Sequence, residues 1–411
     1  MTTGSALSHL QGSVSGARYD ADTLQAVDPV DGRTLLARYD LAAVRPRLSR
    51  EALASRRGGL WRWRELLPVR DAGFVTTLGE GGTALLGPGR LARHLGLDRL
   101  HVKAESLNPT GSFKARGMAV AVSRARELGA RSLVAPSAGN AGGALAAYAA
   151  AAGLPATVVM PADSPRVNQD EVVVCGARLV LLDGLISDCG RLSRLIAERT
   201  GAFDLATLRE PYRVEGKKTL GFELAEDFGW ELPDAIVYPT GGGTGLVGMW
   251  KAFEELEEVG LIDSRRPRLF AVQAEGCAPI VRAFDSGAGF AEPWTGASTR
   301  AAGIRVPSAL GDHLILDSLR RSGGGALAVP EEEMESMQRR AAALGAGFLS
   351  LESAAAVAAL PALLEGGSIE RTERLVVFDT GSGFKSVAPD LTPPAVTPND
   401  PSAWDAMFQG R

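Results

Sequence analysis

A regular alternation of strand-like and helix-like segments is the feature that most constrains the fold of this chain. Short apolar runs precede longer helix-forming runs, and turns rich in glycine or polar residues separate them. The segments predict strands at 100–103, 132–135, 156–160, 178–182, 235–238 and 268–272, and helices at 115–128, 141–152, 165–174, 187–199, 216–228 and 246–258. Such alternation predicts parallel sheets that are covered by helices on both faces.

The alternation continues less regularly toward the C-terminus. Helices are predicted at 331–344 and 352–364, and a last strand at 374–378. The simplest packing is α/β, with two sheets and one domain nested within the other. We therefore predict a large domain formed by residues 1–115 and 206–390, a small domain formed by residues 116–205, and a proline-containing tail at 391–411.

The N-terminal region carries weaker signals. Residues 1–17 are polar and rich in glycine and serine, so they are predicted to be frayed. Residues 34–40 predict a short strand. The aromatic and basic run at 59–68 predicts a helix that docks through Trp61 and Leu66.

Composition excludes several classes of function. The apolar fraction is 45%, the charged fraction is 22% and the formal net charge is −4 without a long basic run, which argues against nucleic-acid and membrane-surface partners. The most apolar region, 142–161, is broken by Gly153 and Pro155 and does not predict a membrane span. Residues 1–13 lack a secretory signal, and the few cysteines and histidines show no ligand spacing. We therefore predict a cytoplasmic protein without a metal site.

Lys114 lies at the junction of a predicted strand and a predicted helix, after the polar loop Leu-Asn-Pro-Thr-Gly-Ser-Phe. A helix start offers free N–H groups and the positive end of a dipole, which lower the pKa of an amine there. A lysine of that kind suits Schiff-base chemistry. Taken alone, a solvated lysine of the first helical turn is the more frequent case.

Three further loops follow predicted strands. The loop Pro-Ser-Ala-Gly-Asn-Ala-Gly-Gly at 136–143 can cradle a carboxylate through its N–H groups, and Asn140 either donates to a ligand or caps the helix. The loop Pro-Thr-Gly-Gly-Gly-Thr-Gly-Leu at 239–246 is either an anion nest or a tight turn; it lacks the lysine of a P-loop. The loop at 378–385, which contains Thr380, reads alone as a glycine turn.

Together, in this order, the four loops resemble those of fold-type-II pyridoxal-phosphate enzymes, the tryptophan synthase β-like kind. The segment from Leu107 to Lys114, followed by Arg-Gly-Met, resembles the threonine synthase family most closely, and the resemblance spans about 34–387. It implies that catalytic Lys114 holds pyridoxal 5'-phosphate as an internal aldimine. The implied cofactor-binding residues are Phe113, Lys114, Asn140, Gly241, Gly242, Gly243, Thr244, Gly245 and Thr380, and the candidate substrate-binding residues are Ser137, Ala138, Gly139, Asn140, Arg166 and Lys217.

The resemblance also implies a reaction, in which O-phosphohomoserine and water give threonine and phosphate. Lys114 would remove the α-proton, phosphate would leave the γ-carbon and water would add at the β-carbon. A serine/threonine dehydratase or a β-replacement enzyme on the same fold is the alternative, and a cofactor-binding protein without turnover is a third reading. The family is often dimeric, so a homodimer stays open.

Several residues depart from the family pattern and put the substrate in doubt. Ala138 and Ala141 stand where many relatives carry hydroxyls, Ala115 follows the lysine in place of an aspartate, and Glu210 stands where asparagine is common. A substrate phosphate needs its own cations and hydroxyls. The candidate cations for this second phosphate are Arg116, Arg166, Arg213, Lys217 and Lys218.

Overall fold

The computed structural model describes residues 4–386 and Val396. The strands are β1 (Leu7–Gly12), β2 (Arg18–Tyr19), β3 (Leu35–Tyr39), β4 (Leu85–Leu86), β5 (Arg99–Lys103), β6 (Leu133–Pro136), β7 (Ala156–Pro161), β8 (Arg178–Leu182), β9 (Phe203–Asp204), β10 (Ala235–Pro239), β11 (Arg268–Ala274), β12 (Gly325–Val329) and β13 (Arg374–Phe378). The helices are α1 (Leu41–Val44), α2 (Arg50–Ala54), α3 (Arg90–Leu95), α4 (Lys114–Glu127), α5 (Asn140–Ala152), α6 (Arg166–Val174), α7 (Ile186–Thr200), α8 (Arg213–Asp227), α9 (Thr244–Glu258), α10 (Pro279–Asp285), α11 (Asp312–Arg321), α12 (Glu331–Ala343), α13 (Leu351–Ala358) and α14 (Leu360–Glu365).

Two larger sheets form the framework. The six-stranded sheet has the order β12-β11-β10-β13-β5-β4 and is parallel except for β4. The four-stranded sheet has the order β8-β7-β6-β9 and is parallel throughout. Its strands lie between residues 133 and 204, inside the chain that forms the six-stranded sheet. The predicted α/β class with parallel and mixed sheets is confirmed. The domain boundaries stay a prediction, and the predicted tail at 391–411 lies outside the described residues apart from Val396.

A small antiparallel sheet of order β2-β1-β3 precedes this framework. The prediction that residues 1–17 are frayed is therefore wrong for the described part of that segment. Leu7 and Leu10 of β1 are buried. The pairing of β1 with β3 is irregular between Leu7 and His9, which breaks the simple two-residue alternation that would have revealed a strand in the sequence.

The aromatic run at 59–68 forms a 3₁₀ helix over Leu60–Leu66. This helix has three residues per turn, so Leu60, Trp63 and Leu66 share its buried face. The Trp63 ring stacks on Phe222 with ring centroids 4.5 Å apart. Docking through Leu66 is as predicted, whereas Trp63 replaces Trp61 as the buried ring because the helix is not α-helical.

Helices α4 and α8 pack closely beside the two larger sheets. A side chain at Gly216 would place its Cβ 2.0 Å from the Arg116 carbonyl oxygen, so glycine allows the helices to approach. Arg116 is buried between them and donates to Glu105 and to Glu223, with its shortest contacts at 2.7 and 2.6 Å. We call these three residues the buried ionic cluster. Among the described residues, no helix is long and apolar enough to span a membrane.

Candidate active site

A cavity of about 510 Å³ lies where the ends of several parallel strands meet. Its lining includes Pro136 at the end of β6, Pro239 at the end of β10, and Thr380 just after β13. Helices α4, α5 and α9 all begin at this cavity, at Lys114, Asn140 and Thr244. Helix N-termini present N–H groups and positive potential, so the cavity favours anionic ligands. Open α/β sheets bind ligands at this edge.

Lys114 is half-buried at the first position of α4. Its Nζ lies 4.4 Å from the centroid of the Phe113 ring. Burial, and then the charge of Arg213, lower the pKa of Lys114 to about 8, against an opposing effect of Glu352. The amine is therefore neutral in a useful fraction of molecules near neutral pH, as a nucleophile and proton acceptor requires.

Lys217 lies behind Phe113, outside the cavity lining. Its Nζ donates to the Phe113 carbonyl oxygen at 2.6 Å and lies 4.6 Å from the centroid of the same ring. Burial lowers the pKa of Lys217 well below its usual range, and the charges of Lys114 and Arg213 lower it further. Lys217 thus anchors the residue that precedes Lys114.

The loop between β6 and α5 is ordered by Ser137. The Ser137 hydroxyl accepts from the N–H groups of Gly139 and Gly142 at 3.1 and 2.8 Å, and donates to the Gly139 carbonyl at 2.9 Å. Ser137, Ala138, Gly139 and Asn140 all line the cavity. Asn140 Oδ1 is buried and has no hydrogen-bond partner among the described residues. An unpartnered buried amide oxygen of this kind indicates a ligand group beside it.

The glycine loop between β10 and α9 contributes Gly241, Gly242, Gly243, Thr244 and Gly245 to the lining. Gly243 has φ +76°, which disfavours any other residue, and its Cβ would lie 2.2 Å from Ile315 Cδ1. The first-turn N–H groups of α9 have no partners within the helix. The loop thus has the chemistry of an anion site, which was one of the two alternatives that the sequence left open.

Thr380 lies beside another hydroxyl group, that of Ser353. Its Oγ1 is 3.3 Å from Ser353 Oγ, and its N–H donates to the same oxygen at 2.9 Å. The neighbouring Glu352 also lines the cavity and accepts from the Gly303 N–H at 2.7 Å. The end of β13 therefore presents a neutral hydroxyl to the cavity.

The structure does not bring the predicted phosphate cations to the cavity wall. Arg166 is exposed, with 83% of its side-chain surface accessible, and pairs with Asp170. Arg213 donates to the Leu205 carbonyl at 2.6 Å beneath the cavity. Arg116 belongs to the buried ionic cluster, and Lys218 pairs with Glu215 at 2.6 Å in a second buried ionic group.

Sequence reasoning missed the cations that do line the cavity. Besides Lys114, these are Arg191, Arg194, Arg209, Arg300, Arg305 and Lys385. The spacing of Arg191 and Arg194 in the predicted helix 187–199 places both on one helical face, which was a usable signal. Nothing comparable marked Arg209 or Arg305.

Glu210 is buried and does not line the cavity. Its carboxyl accepts from the N–H groups of Tyr212 and Arg213 at 2.7 and 3.0 Å, where α8 begins. Burial raises the pKa of Glu210 to about 7, against the charge of Arg213 and these N–H bonds. A glutamate near a substrate phosphate would repel it, but the raised pKa of Glu210 and its hydrogen bonds to the start of α8 limit that repulsion.

Comparison with known proteins places these features in a family. Residues 76–381 match the family described as pyridoxal-phosphate dependent enzyme. The threonine synthase of Methanocaldococcus jannaschii is 36% identical over 371 residues, which cover 90% of this chain and 91% of that protein. The threonine synthase of Methanosarcina acetivorans is 36% identical and covers 92% of each chain. That of Mycobacterium tuberculosis is 34% identical over 83% of this chain and 93% of its own length.

Solved structures show the same fold. Maize serine racemase aligns with a TM-score of 0.64 at 20% identity, over 80% of this chain and 92% of that one. A threonine deaminase from T.th. aligns with a TM-score of 0.61 at 27% identity, over 76% of this chain and 94% of that one. The predicted fold-type-II architecture is confirmed by these likenesses.

Proposed function

Since the chain belongs to the family of pyridoxal-phosphate-dependent enzymes, and within it to the threonine synthases, we propose that it converts O-phospho-L-homoserine and water to L-threonine and phosphate. One observation carries this proposal. The similarity to threonine synthases extends over nine-tenths of the chain, in which Lys114, the glycine loop and Asn140 line one cavity. The chain is thus a lyase that acts on a small amino-acid substrate.

The residues present fit pyridoxal 5'-phosphate. Asn140 Oδ1 has no hydrogen-bond partner among the described residues, and the first-turn N–H groups of α9 have none within their helix. A phosphorylated ring would supply partners for both. Lys114 would hold the cofactor, the glycine loop from Gly241 to Gly245 its phosphate, Asn140 its ring hydroxyl and Thr380 its ring nitrogen, with Phe113 beside Lys114. When bound, the cofactor supplies an electron sink for the substrate's α-carbon.

The chain's own residues would bind the substrate, transfer its α-proton and set the polarity at the end of β13. The N–H groups of the loop from Ser137 to Asn140 would bind the substrate carboxylate. Lys114, once free, would move the proton at the α-carbon, and its pKa of about 8 suits both proton uptake and release near neutral pH. Thr380 would offer a neutral hydroxyl in place of a carboxylate, which favours elimination and replacement over transamination.

We extend the proposal to the cellular setting and the assembly, which the same family likeness supports. We place the enzyme in the cytoplasm, acting as a homodimer, as part of threonine biosynthesis. Size-exclusion chromatography with light scattering tests the assembly, and a monomer at micromolar concentration would contradict that part of the proposal.

The experiment that tests the activity uses the purified holoenzyme. O-Phosphohomoserine is added, and free phosphate and threonine are followed together. Equal release of both supports the proposal, and Lys114→Ala serves as the control without turnover. If phosphate is not released while serine or threonine yields a keto acid, the enzyme is a dehydratase.

A further inference from the structure

The cavity carries a strong excess of positive charge. Its charged lining residues are Lys114, Arg191, Arg194, Arg209, Arg300, Arg305, Glu352 and Lys385, so seven cations face one carboxylate. The cofactor phosphate accounts for the glycine loop and the α9 N-terminus, which use backbone N–H groups. A second anion would therefore have to be bound by side-chain cations.

Most of these cations already have carboxylate partners. Arg305 pairs with Asp163 at 2.9 Å, Lys385 with Glu171 at 2.5 Å, Arg191 with Asp188 at 2.5 Å, and Arg300 with Glu335. Such contacts satisfy the guanidinium and ammonium groups and leave little net charge for a ligand.

Arg194 and Arg209 differ from the others. The nearest carboxylate contact of Arg209 is Asp204 at 3.8 Å, beyond hydrogen-bond distance. Arg194 has no ion pair within 4 Å among residues 4–386. The two guanidinium groups are close enough that Arg194, together with burial, lowers the pKa of Arg209. The carboxylates of Asp204 and Glu198 act in the opposite direction on the pKa of Arg209 and offset part of this repulsion, but neither forms a hydrogen bond with Arg209. An anionic ligand that accepts hydrogen bonds from both guanidinium groups would remove the remaining repulsion.

Their position suits the side-chain end of a substrate. Arg194 lies on α7 and Arg209 follows β9, so both lie in the part of the chain that contains the four-stranded sheet. The loop that would bind the substrate carboxylate lies in the same part of the chain. That loop carries Ala138 and Ala141, which offer no side-chain hydrogen bonds. The Ser137 hydroxyl is already used within the loop.

We propose that Arg194 and Arg209 form the subsite for the distal anionic group of the substrate, a phosphate monoester. This inference rests on the proposed function and assigns that substrate's second phosphate. Two guanidinium forks match the oxygens of a phosphate and keep their charge at all relevant pH values. In this chain, arginine side chains thus replace the loop hydroxyls as the source of affinity.

A matched pair of ligands tests the subsite without turnover. The ligands are 2-amino-5-phosphonopentanoate and norvaline, which share their carbon chain and differ in the phosphonate. Dissociation constants are measured from the absorbance change of the holoenzyme for wild type, Arg194→Met, Arg209→Met and the double variant. Each charged hydrogen-bonding contact contributes roughly 10- to 100-fold, so each variant should lose about that much phosphonate preference. Norvaline affinity should stay within about two-fold.

Arg199→Met is the control, because Arg199 is an exposed arginine on the same helix as Arg194 and does not line the cavity. It should leave both affinities unchanged. Arg194→Gln and Arg209→Gln repeat the measurement with polar side chains should a methionine variant fold poorly.

Each outcome has a separate meaning. Should the wild type bind norvaline as tightly as the phosphonate, the proposed function itself is wrong. Should the wild type prefer the phosphonate and the variants keep that preference, the function stands and the subsite lies elsewhere. Should the variants instead lose pyridoxal phosphate at least about ten-fold more readily with the preference intact, the arginines serve the cofactor and the inference is overturned.

Discussion

The two walls of the cavity, one on the side of each larger sheet, present different kinds of polar group. On the side of the six-stranded sheet, backbone N–H groups and short side chains such as Thr380 are held by buried packing, and the long cations Arg300, Arg305 and Lys385 pair with carboxylates. On the side of the four-stranded sheet, Arg194 on α7 and Arg209 after β9 make no hydrogen bond to a carboxylate of the described residues. Backbone groups are fixed by the fold, whereas an arginine can be exchanged with little effect on the fold. The comparison indicates that the chemistry is fixed by one wall and the selectivity is adjustable through the other.

Lys114→Ala should have the largest effect, since it removes the nucleophile and base of the first wall. Turnover of O-phosphohomoserine should fall at least about 1,000-fold. Absorbance spectra and product release measure it. A variant with wild-type turnover would show that the chemistry does not depend on this wall.

Glu210→Gln should change how stability depends on pH. The folded carboxyl has a pKa of about 7 against an ordinary value of 4.5, so the folded chain keeps a proton that the unfolded chain releases. In the wild type, the contribution of Glu210 to the free energy of unfolding is fully present below about pH 4.5. The free energy of unfolding then falls as the pH rises toward about 7. The glutamine variant should lack that loss, which amounts to about 1–3 kcal/mol.

Denaturant unfolding at several pH values measures this difference. Glu258→Gln, at an exposed position near the end of α9, is the matched control and should keep the wild-type slope. Parallel slopes for the wild type and Glu210→Gln would contradict the prediction.

Two glycines compare the walls directly. Gly243→Ala should weaken cofactor retention about 10-fold or more and lower the melting temperature, because a strained φ of +76° and a contact with Ile315 cost about 1–3 kcal/mol. Gly190→Ala on α7 meets no atom within 4 Å and should be neutral or slightly stabilising. Equal effects of the two substitutions would show that the walls do not differ in rigidity.

Lys217→Arg should have the smallest effect. The apoenzyme should take up pyridoxal phosphate faster as pH rises through about 8, because only the neutral Lys114 amine attacks an aldehyde. A permanently charged guanidinium behind Phe113 should lower the pKa of Lys114 and move this midpoint to lower pH. Stopped-flow absorbance measures the midpoint, with Lys217→Gln as the uncharged control. An unchanged midpoint in Lys217→Arg would show that its charge does not reach Lys114.

The parts of the fold and site that local sequence encodes were predictable. The bounds of α4, α5 and α7 agree with the predicted helices to within one residue or so, because apolar spacing and glycine turns are local signals. The predicted helix 352–364 is instead α13 and α14, since Pro361 cannot donate to the helix and interrupts it. Helices α10 and α11 and strand β12, between 279 and 329, were not predicted at all.

Long-range pairings explain the errors at the site. Arg116 looked available for a phosphate, but its partner Glu223 is 107 residues away in the chain. Arg194 and Arg209 come together only because α7 and the end of β9 both face the cavity. Spacing along the chain cannot reveal which charges a fold will pair and which it will leave open.

The buried ionic cluster also bears on how this sequence can evolve. Losing Arg116 would leave the buried Glu105 carboxylate without its cation, a change that typically costs about 3–5 kcal/mol. Such a variant would be selected against, so Arg116 should change only together with Glu105. Arg194 forms no ion pair with the described residues, so a single substitution there leaves no buried charge unpaired. New substrate preferences should therefore arise in this lineage through substitutions at Arg194, while the buried ionic cluster stays unchanged.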